Sequence, residues 1–245
     1  MPQPNDHLGP YTLIQKLGSG QFGVVWKAQR RAGIAPPCAI KLPTDSDVKW
    51  EDVEKEARVW LQASGHPNIL PMIEANIYDG QIALVSEYAA DGSLLDWLRK
   101  HDGRNPSVEK AIEMMVGILA GLEHLHRRNI IHRDLKPANI LLQGDIPRLA
   151  DFGISRVLSS TQSTTPAGTL AYMSPEAFNG ERNAQTDIWA AGVILYQLLT
   201  GRLPFPQRDM ASLMNAILMK LPESLPPDLP EPLRSTVMRA LEKNL

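Results

Sequence analysis

The run His132-Arg133-Asp134-Leu135-Lys136-Pro137-Ala138-Asn139-Ile140-Leu141 sets a carboxylate, an ammonium and an amide within a few positions of one another, and Asp151-Phe152-Gly153 follows closely downstream. These residue types suit phosphoryl transfer. Asp134 can accept the proton of an incoming hydroxyl, and Lys136 can neutralise charge on the group in transit. Asn139 and Asp151 offer the hard oxygen ligands that Mg²⁺ prefers.

A phosphate chain also needs a cradle and a fixed cation. Gly18-Ser19-Gly20-Gln21-Phe22-Gly23-Val24-Val25 sets three glycines in a turn, where bare backbone N–H groups can approach phosphate oxygens. A dinucleotide-binding loop of similar spelling must open a helix, whereas Val24-Val25-Trp26-Lys27-Ala28 is a strand former. The turn reads as strand, glycine turn, strand, and alone it fits a plain hairpin as well as a phosphate lid. Lys41, in Ala39-Ile40-Lys41, can supply the cation, although a lone lysine there would be a solvated surface charge. Glu56 sits on the helix that follows, so a Lys41–Glu56 pair would aim the ammonium at a phosphate.

These residues need scaffolding. Tyr11 to Leu17, Val24 to Ala28, Cys38 to Leu42 and Ile82 to Ser86 are short aliphatic or β-branched runs between Gly, Pro and Asp breakers, and predict strands. Val48 to Ala63 predicts a helix with Val53, Ala57, Trp60 and Leu61 on one face and Glu51, Asp52 and Glu54 near its positive end. After Asp91-Gly92 the period lengthens. Val108, Ile112, Met115, Ile118, Leu119, Leu122 and Leu125 predict one face of a helix started by Pro106-Ser107. A second buried helix is expected from Asp187 to Thr200, stopping at Gly201. Pro222, Pro226, Pro227, Pro230 and Pro232 predict an extended connection between two helices. His124 and His126, two apart on a helix, point about 200° apart, which argues against a metal pair. The composition shift near residue 90 divides a β-rich region, 11–90, from a helical one, 91–245, with 1–10 as an N-terminal extension.

With 245 residues, 43% of them apolar, the chain can bury a sizeable core. Lys and Arg number 25 against 27 Asp and Glu, so no global basic field recruits nucleic acid or anionic membrane, and an anionic ligand must be held locally. The most apolar stretch, Ile188 to Leu199, is broken by Gly192 and Gln197 and falls short of the ~20 residues a membrane span needs. Met1 to Tyr11 lacks the basic-then-apolar pattern of a secretory signal. The one cysteine, Cys38, is expected as a structural thiol at a half-buried strand position; with no internal disulfide available, a reducing, cytoplasmic setting is expected.

From Tyr11 to Leu245 the ordered set of motifs resembles the eukaryotic-type serine/threonine protein kinases, and the short loops are similar to those of bacterial members. The resemblance implies a two-lobed α+β fold, with a small β-rich N-terminal lobe, a larger helical C-terminal lobe and ATP in the cleft. It implies that Gly18, Gly20 and Gly23 cover the phosphates, that Lys41 contacts them while paired with Glu56, and that Glu87 to Ala89 form the hinge meeting the adenine. Leu17, Val25, Ala39 and Leu141 would enclose the ring. Asp134 would be the catalytic base, Thr169 would bridge Asp134 and Lys136, and Asn139 and Asp151 would hold Mg²⁺. Arg133 implies a loop ordered by an activation-segment phosphate. Trp60, Met72, His132 and Phe152 would stack as an apolar column anchored by Asp187. Lys136-Pro137 and Gly168-Thr169-Leu170-Ala171-Tyr172-Met173-Ser174-Pro175-Glu176 resemble the serine/threonine class. The partners implied are proteins bearing Ser or Thr hydroxyls, with self-association for phosphorylation in trans. Among Ser159, Ser160, Thr161, Ser163, Thr164 and Thr165, the expected autophosphorylation site is Thr164 or Thr165, since Thr165 lies shortly before Gly168.

The sequence departs from this pattern in places. Ser174 stands where alanine is usual before Pro175-Glu176, a change expected to matter little. Ser86, before the hinge, is small where a bulkier residue is frequent, and is expected to open a pocket behind the adenine. No arginine follows Leu241-Glu242-Lys243-Asn244-Leu245 to pair with Glu176. The helical lobe is therefore expected to be truncated and marginally stable unless Glu176 finds another partner. A non-catalytic scaffold would lack Lys41, Asp134, Asn139 or Asp151, and all are present. A small-molecule kinase would not be expected to carry Gly168 to Glu176, and a plain interaction domain would not bind ATP with Mg²⁺.

Overall fold

Strand-forming runs in the first third build a single antiparallel sheet in the computed structural model, which describes residues 2–20, 23–44, 48–152 and 167–243. Its strands are β1 (His7–Leu8), β2 (Tyr11–Gly20), β3 (Gly23–Arg30), β4 (Cys38–Leu42), β5 (Met72–Tyr78) and β6 (Gln81–Glu87), in the order β1-β2-β3-β4-β6-β5. The described residues divide into two compact units, one up to Ala90 and one comprising Asp91 to Phe152 and the residues from Ala167 onward.

In the first unit, side chains alternate across the sheet. Trp26, Ala28, Cys38, Ile40, Leu42, Ala83 and Val85 turn to one face and form a core with Leu8, Tyr11 and Leu13. Cys38 is 3% exposed, so it is fully rather than half buried. Burial pushes its thiol up to about 11, which suits a structural group. Helix α1 (Trp50–Ala63) buries Val53, Ala57, Trp60 and Ala63, while Leu61 is 42% exposed, so the expected stripe ends on Ala63 instead. The Trp60 indole donates to Leu70 O at 2.7 Å. Residues before Tyr11 are built into this unit. Gly9 N–H donates to Asp79 Oδ2 at 3.2 Å, and a Cβ on Gly9, at φ +50°, would strike the Tyr78 ring. The phenols of Tyr11 and Tyr78 both donate to Glu74 Oε1.

The second unit is mainly helical. Helix α2 (Leu94–Lys100) opens with a reciprocal cap, Asp96 N to Ser93 Oγ at 3.2 Å and Ser93 N to Asp96 Oδ2 at 3.1 Å. Helix α3 (Val108–His126) starts at the Ser107 cap as expected, but its buried stripe runs through Ala111, Met114, Met115, Ile118, Gly121, Leu122 and Leu125. Ile112 and Leu119 are 39% and 40% exposed, because small residues rather than the largest ones take the closest packing. A hairpin, β7 (Ile140–Gln143) and β8 (Ile146–Leu149), packs beside α3. Then come α4 (Ala167–Leu170), α5 (Ala184–Thr200), α6 (Met210–Met219) and α7 (Glu231–Ala240). Helix α5 begins three residues before Asp187 because Asn183 Oδ1 accepts from Thr186 N at 3.0 Å, and it ends at Gly201, φ 74°. The proline-rich stretch links α6 to α7, with Pro230 as the cap of α7 and Pro232 in its first turn, where a missing N–H costs nothing. Gly192 lets α5 approach α7, since a Cβ there would lie 2.9 Å from that of Ala240. Among the described residues, no helix is long and apolar enough to cross a membrane.

Candidate active site

Asp187 stands in the first turn of α5, 1% exposed, where the helix dipole favours its charge. Its Oδ2 accepts from the His132 backbone N–H at 2.8 Å and its Oδ1 from that of Arg133 at 3.0 Å. His126, the last residue of α3, reaches Oδ2 through Nε2 at 2.8 Å. A carboxylate only accepts, so this nitrogen carries the proton. His126 therefore has a structural partner that its spacing from His124 did not reveal. Among the described residues, no cluster of metal-ligating side chains forms at either histidine.

The segment fixed by Asp187 carries Asp134. Arg133 adopts φ 70° and Asp151 φ 60°, left-handed conformations that residues with side chains adopt only when held there. Among the described residues neither ring nitrogen of the buried His132 has a hydrogen-bond partner, and burial holds its imidazole below the ordinary histidine range. It meets Phe152 edge-on, ring centroids 6.1 Å apart.

Asp134 Oδ2 takes the Lys136 ammonium at 2.9 Å and the Asn139 amide at 3.0 Å. The same amide reaches Asp134 O at 2.8 Å, which locks the loop onto the short turn Pro137–Asn139. Lys136 Nζ also donates to Thr169 Oγ1 at 3.0 Å, so Thr169 joins Asp134 through the lysine. Asp134 Oδ1 has no hydrogen bond among the described residues. Asn139 and Asp151 flank the open end of the β7–β8 hairpin, where Ile140 pairs with Leu149 and Ala150 N donates to Asn139 O at 2.9 Å. Since the Asn139 amide nitrogen is committed to Asp134, its carbonyl oxygen is left as a ligand. Leu141 lies on β7, half-buried.

In the first unit, strand register collects a second set of the expected residues. Val25 pairs with Lys41 and Gly18, Ala39 pairs with Ser86, and Cys38 pairs with Glu87. Val25, Ala39 and Lys41 therefore share the sheet face opposite the apolar core. Gly23, at φ +131°, could carry no side chain, since a Cβ would lie 2.2 Å from Leu42 O. Gly18 is different: among the described residues nothing lies within 4 Å of where its Cβ would be. Gly20 closes the β2–β3 pairing against Gly23, and Leu17 is exposed. Glu56 is half-buried on α1, and Ala89 is buried just after β6. Lys27 places its ammonium 4.5 Å over the Tyr88 ring beside the expected hinge. Trp60 and Met72 are buried in this unit.

A family model for the protein kinase domain matches residues 11–243. The chain belongs to the protein kinase family. It is 34% identical to serine/threonine-protein kinase ATG1b of Arabidopsis thaliana over 90% of this chain and 32% of that protein. It is 32% identical to Aurora kinase of Schizosaccharomyces pombe over 97% of this chain and 68% of that protein. ATG1c of Arabidopsis thaliana is 34% identical over 90% of this chain and 31% of its own length. The chain thus spans about a third of the two plant relatives. The protein kinase domain is of the two-lobed α+β class, and the two plant relatives are named serine/threonine-protein kinases.

The expected phosphorylation sites from Ser159 to Thr165, and Gly153, lie outside the described residues. Two expectations about Ser174 to Glu176 can be sharpened. Arg182, on the loop before α5, comes close enough to Glu176 for the charges to be felt, without an ion pair between them among the described residues. Ser174 is 1% exposed and its hydroxyl has no partner among the described residues, so serine in place of alanine is not neutral here. A buried unpaired hydroxyl costs about 1–3 kcal/mol. Ser174→Ala should raise the melting temperature by at least about 2 °C, given the ~2–4 °C per kcal/mol of a domain this size. An unchanged or lower melting temperature would mean that the hydroxyl is bonded.

Proposed function

We propose that this chain transfers the γ-phosphoryl group of Mg²⁺-bound ATP to Ser or Thr hydroxyls of proteins, including its own activation segment, with 11–90 as the nucleotide lobe and 91–245 as the catalytic lobe. The observation that carries this reading is the state of Asp134, one oxygen tied to Lys136 and Asn139 and the other left for an incoming hydroxyl. Asp134 is the base, Lys136 offsets charge on the transferring group, and Thr169 holds Lys136 in place. Gly18, Gly20 and Gly23 lie over the phosphates, and Lys41, steadied by Glu56, contacts them. Leu17, Val25, Ala39 and Leu141 enclose the adenine, with Glu87 and Ala89 presenting backbone groups to its edge.

Asn139 and Asp151 fit Mg²⁺ by their chemistry, as two hard oxygen donors. Mg²⁺ draws most of its ligands from phosphates and water, so two protein side chains suffice. When bound, Mg²⁺ neutralises phosphate charge. The lone, buried Cys38 supports a reducing compartment, the cytoplasm, and self-association would serve phosphorylation in trans.

Transfer of labelled γ-phosphate from MgATP to the chain itself and to a generic basic substrate tests the reading. Asp134→Asn should lower both by at least about 10²-fold, the scale of a positioned general base. Undiminished transfer would remove Asp134 from the role. In the active parent, mass spectrometry should place phosphate on Thr164 or Thr165, and its absence from both would refute that assignment. Ser86 is buried opposite Ala39 and Met72, a small residue between small and flexible neighbours. Ser86→Met should weaken a bulky adenine-site inhibitor by about tenfold or more, the scale set by a few methylenes. Unchanged affinity would mean that no pocket opens behind the adenine.

A further inference from the structure

Strand β6 ends at Glu87, whose N–H donates to Pro71 O at 3.0 Å, and among the described residues no strand pairing holds Tyr88 or Ala89 beyond it. One side chain reaches this stretch from two strands away. Lys27 on β3 pairs with Ala39 on β4, and Ala39 pairs with Ser86 on β6, so the three stand in one row across the sheet. Lys27 follows Val25 by two residues and shares its face. Ala39, between the outer strands of the row, carries only a methyl group, which leaves room for the lysine stem. The ammonium lies 4.5 Å from the centroid of the Tyr88 ring, well within the range of cation–π attraction. Among the described residues no carboxylate or hydrogen-bond acceptor takes it. Both residues are half-buried, and partial removal from water strengthens such a contact.

We propose that Lys27 is a positioning residue for the nucleotide: by clasping the Tyr88 ring it fixes the stretch from Glu87 to Ala89, so that the backbone groups there meet the base in one orientation. The clasp rests on the reading of that stretch as the edge that meets the adenine, and adds base selectivity to it. Adenine carries an amino donor where guanine carries a carbonyl acceptor, so a backbone edge held in one place favours one base, whereas a loosened edge adapts to both. The lysine's charge also attracts any triphosphate. That attraction is the same for ATP and GTP, so the ratio of their affinities reports the clasp and not the charge.

Displacement of a ribose-labelled fluorescent ADP by MgATP and by MgGTP measures this ratio at equilibrium, in variants that circular dichroism shows to be folded. The parent should prefer MgATP by at least about tenfold, as a site that bonds a base edge allows. Lys27→Ala should cut the preference about three- to fivefold, the scale of a cation–π contact near the surface. Lys27→Arg, whose guanidinium also stacks on a ring, should keep it within about twofold of the parent. Tyr88→Leu should cut it as Lys27→Ala does, and the double variant no further, since the two losses are one interaction. An undiminished preference in Lys27→Ala, or losses that multiply in the double variant, overturns the clasp. A parent that binds neither nucleotide overturns the clasp and the nucleotide reading together. Phosphate transfer is read separately: the expected ratios in a chain that transfers none would refute the catalytic reading and uphold the clasp.

Discussion

A single buried carboxylate organises the helical unit. Asp187 is removed from water, which is costly for a charge without partners and tolerable with several. Three donors meet it, from the His132 and Arg133 backbone and the His126 ring, and it sits at the positive end of α5. Those bonds join the end of α3, the start of α5 and the loop between them. They also offset the left-handed backbone of Arg133, which would otherwise relax and carry Asp134 with it. The position of the proposed base therefore depends on a group that takes no part in the chemistry.

Backbone register does the same work elsewhere. Pairing of Ile140 with Leu149 places Asn139 and Asp151 at one end of a hairpin, although they are twelve residues apart (151 − 139). Pairing of Val25 with Lys41 and of Ala39 with Ser86 sets Val25, Ala39 and Lys41, proposed to meet the nucleotide, on one side of a sheet whose other side is the apolar core. A shift of one residue in β4 would bury Lys41 and expose Ile40, so core packing and placement of the lysine are one constraint.

The motifs were legible in the sequence because their chemistry is local. Asp134, Lys136 and Asn139 are close in the chain and meet in space, and the Ser107 cap and Gly201 stop were readable for the same reason. Less legible was whatever depends on distant partners. The strand Met72–Tyr78 went unforeseen because Met72, Ile73 and Ile77 do not alternate, and a bulge lies between Met72 and Glu74. Leu61, Ile112 and Leu119 were expected inside by periodicity, but closest packing fell to the smaller Ala63, Ala111 and Gly121. His126 gave no signal, since its partner is 61 residues away.

The most direct test of the central claim is the turnover of Asp187→Asn beside its affinity for MgATP, at a temperature where circular dichroism shows both proteins folded. Replacing one carboxylate oxygen with an amide removes an acceptor from the loop and leaves the first unit untouched. The account predicts that kcat falls by at least about 10²-fold, as misplacement by about an ångström can cause, while the dissociation constant for MgATP stays within about threefold. A folded Asp187→Asn protein with the parental kcat would show that the buried carboxylate does not hold the catalytic loop.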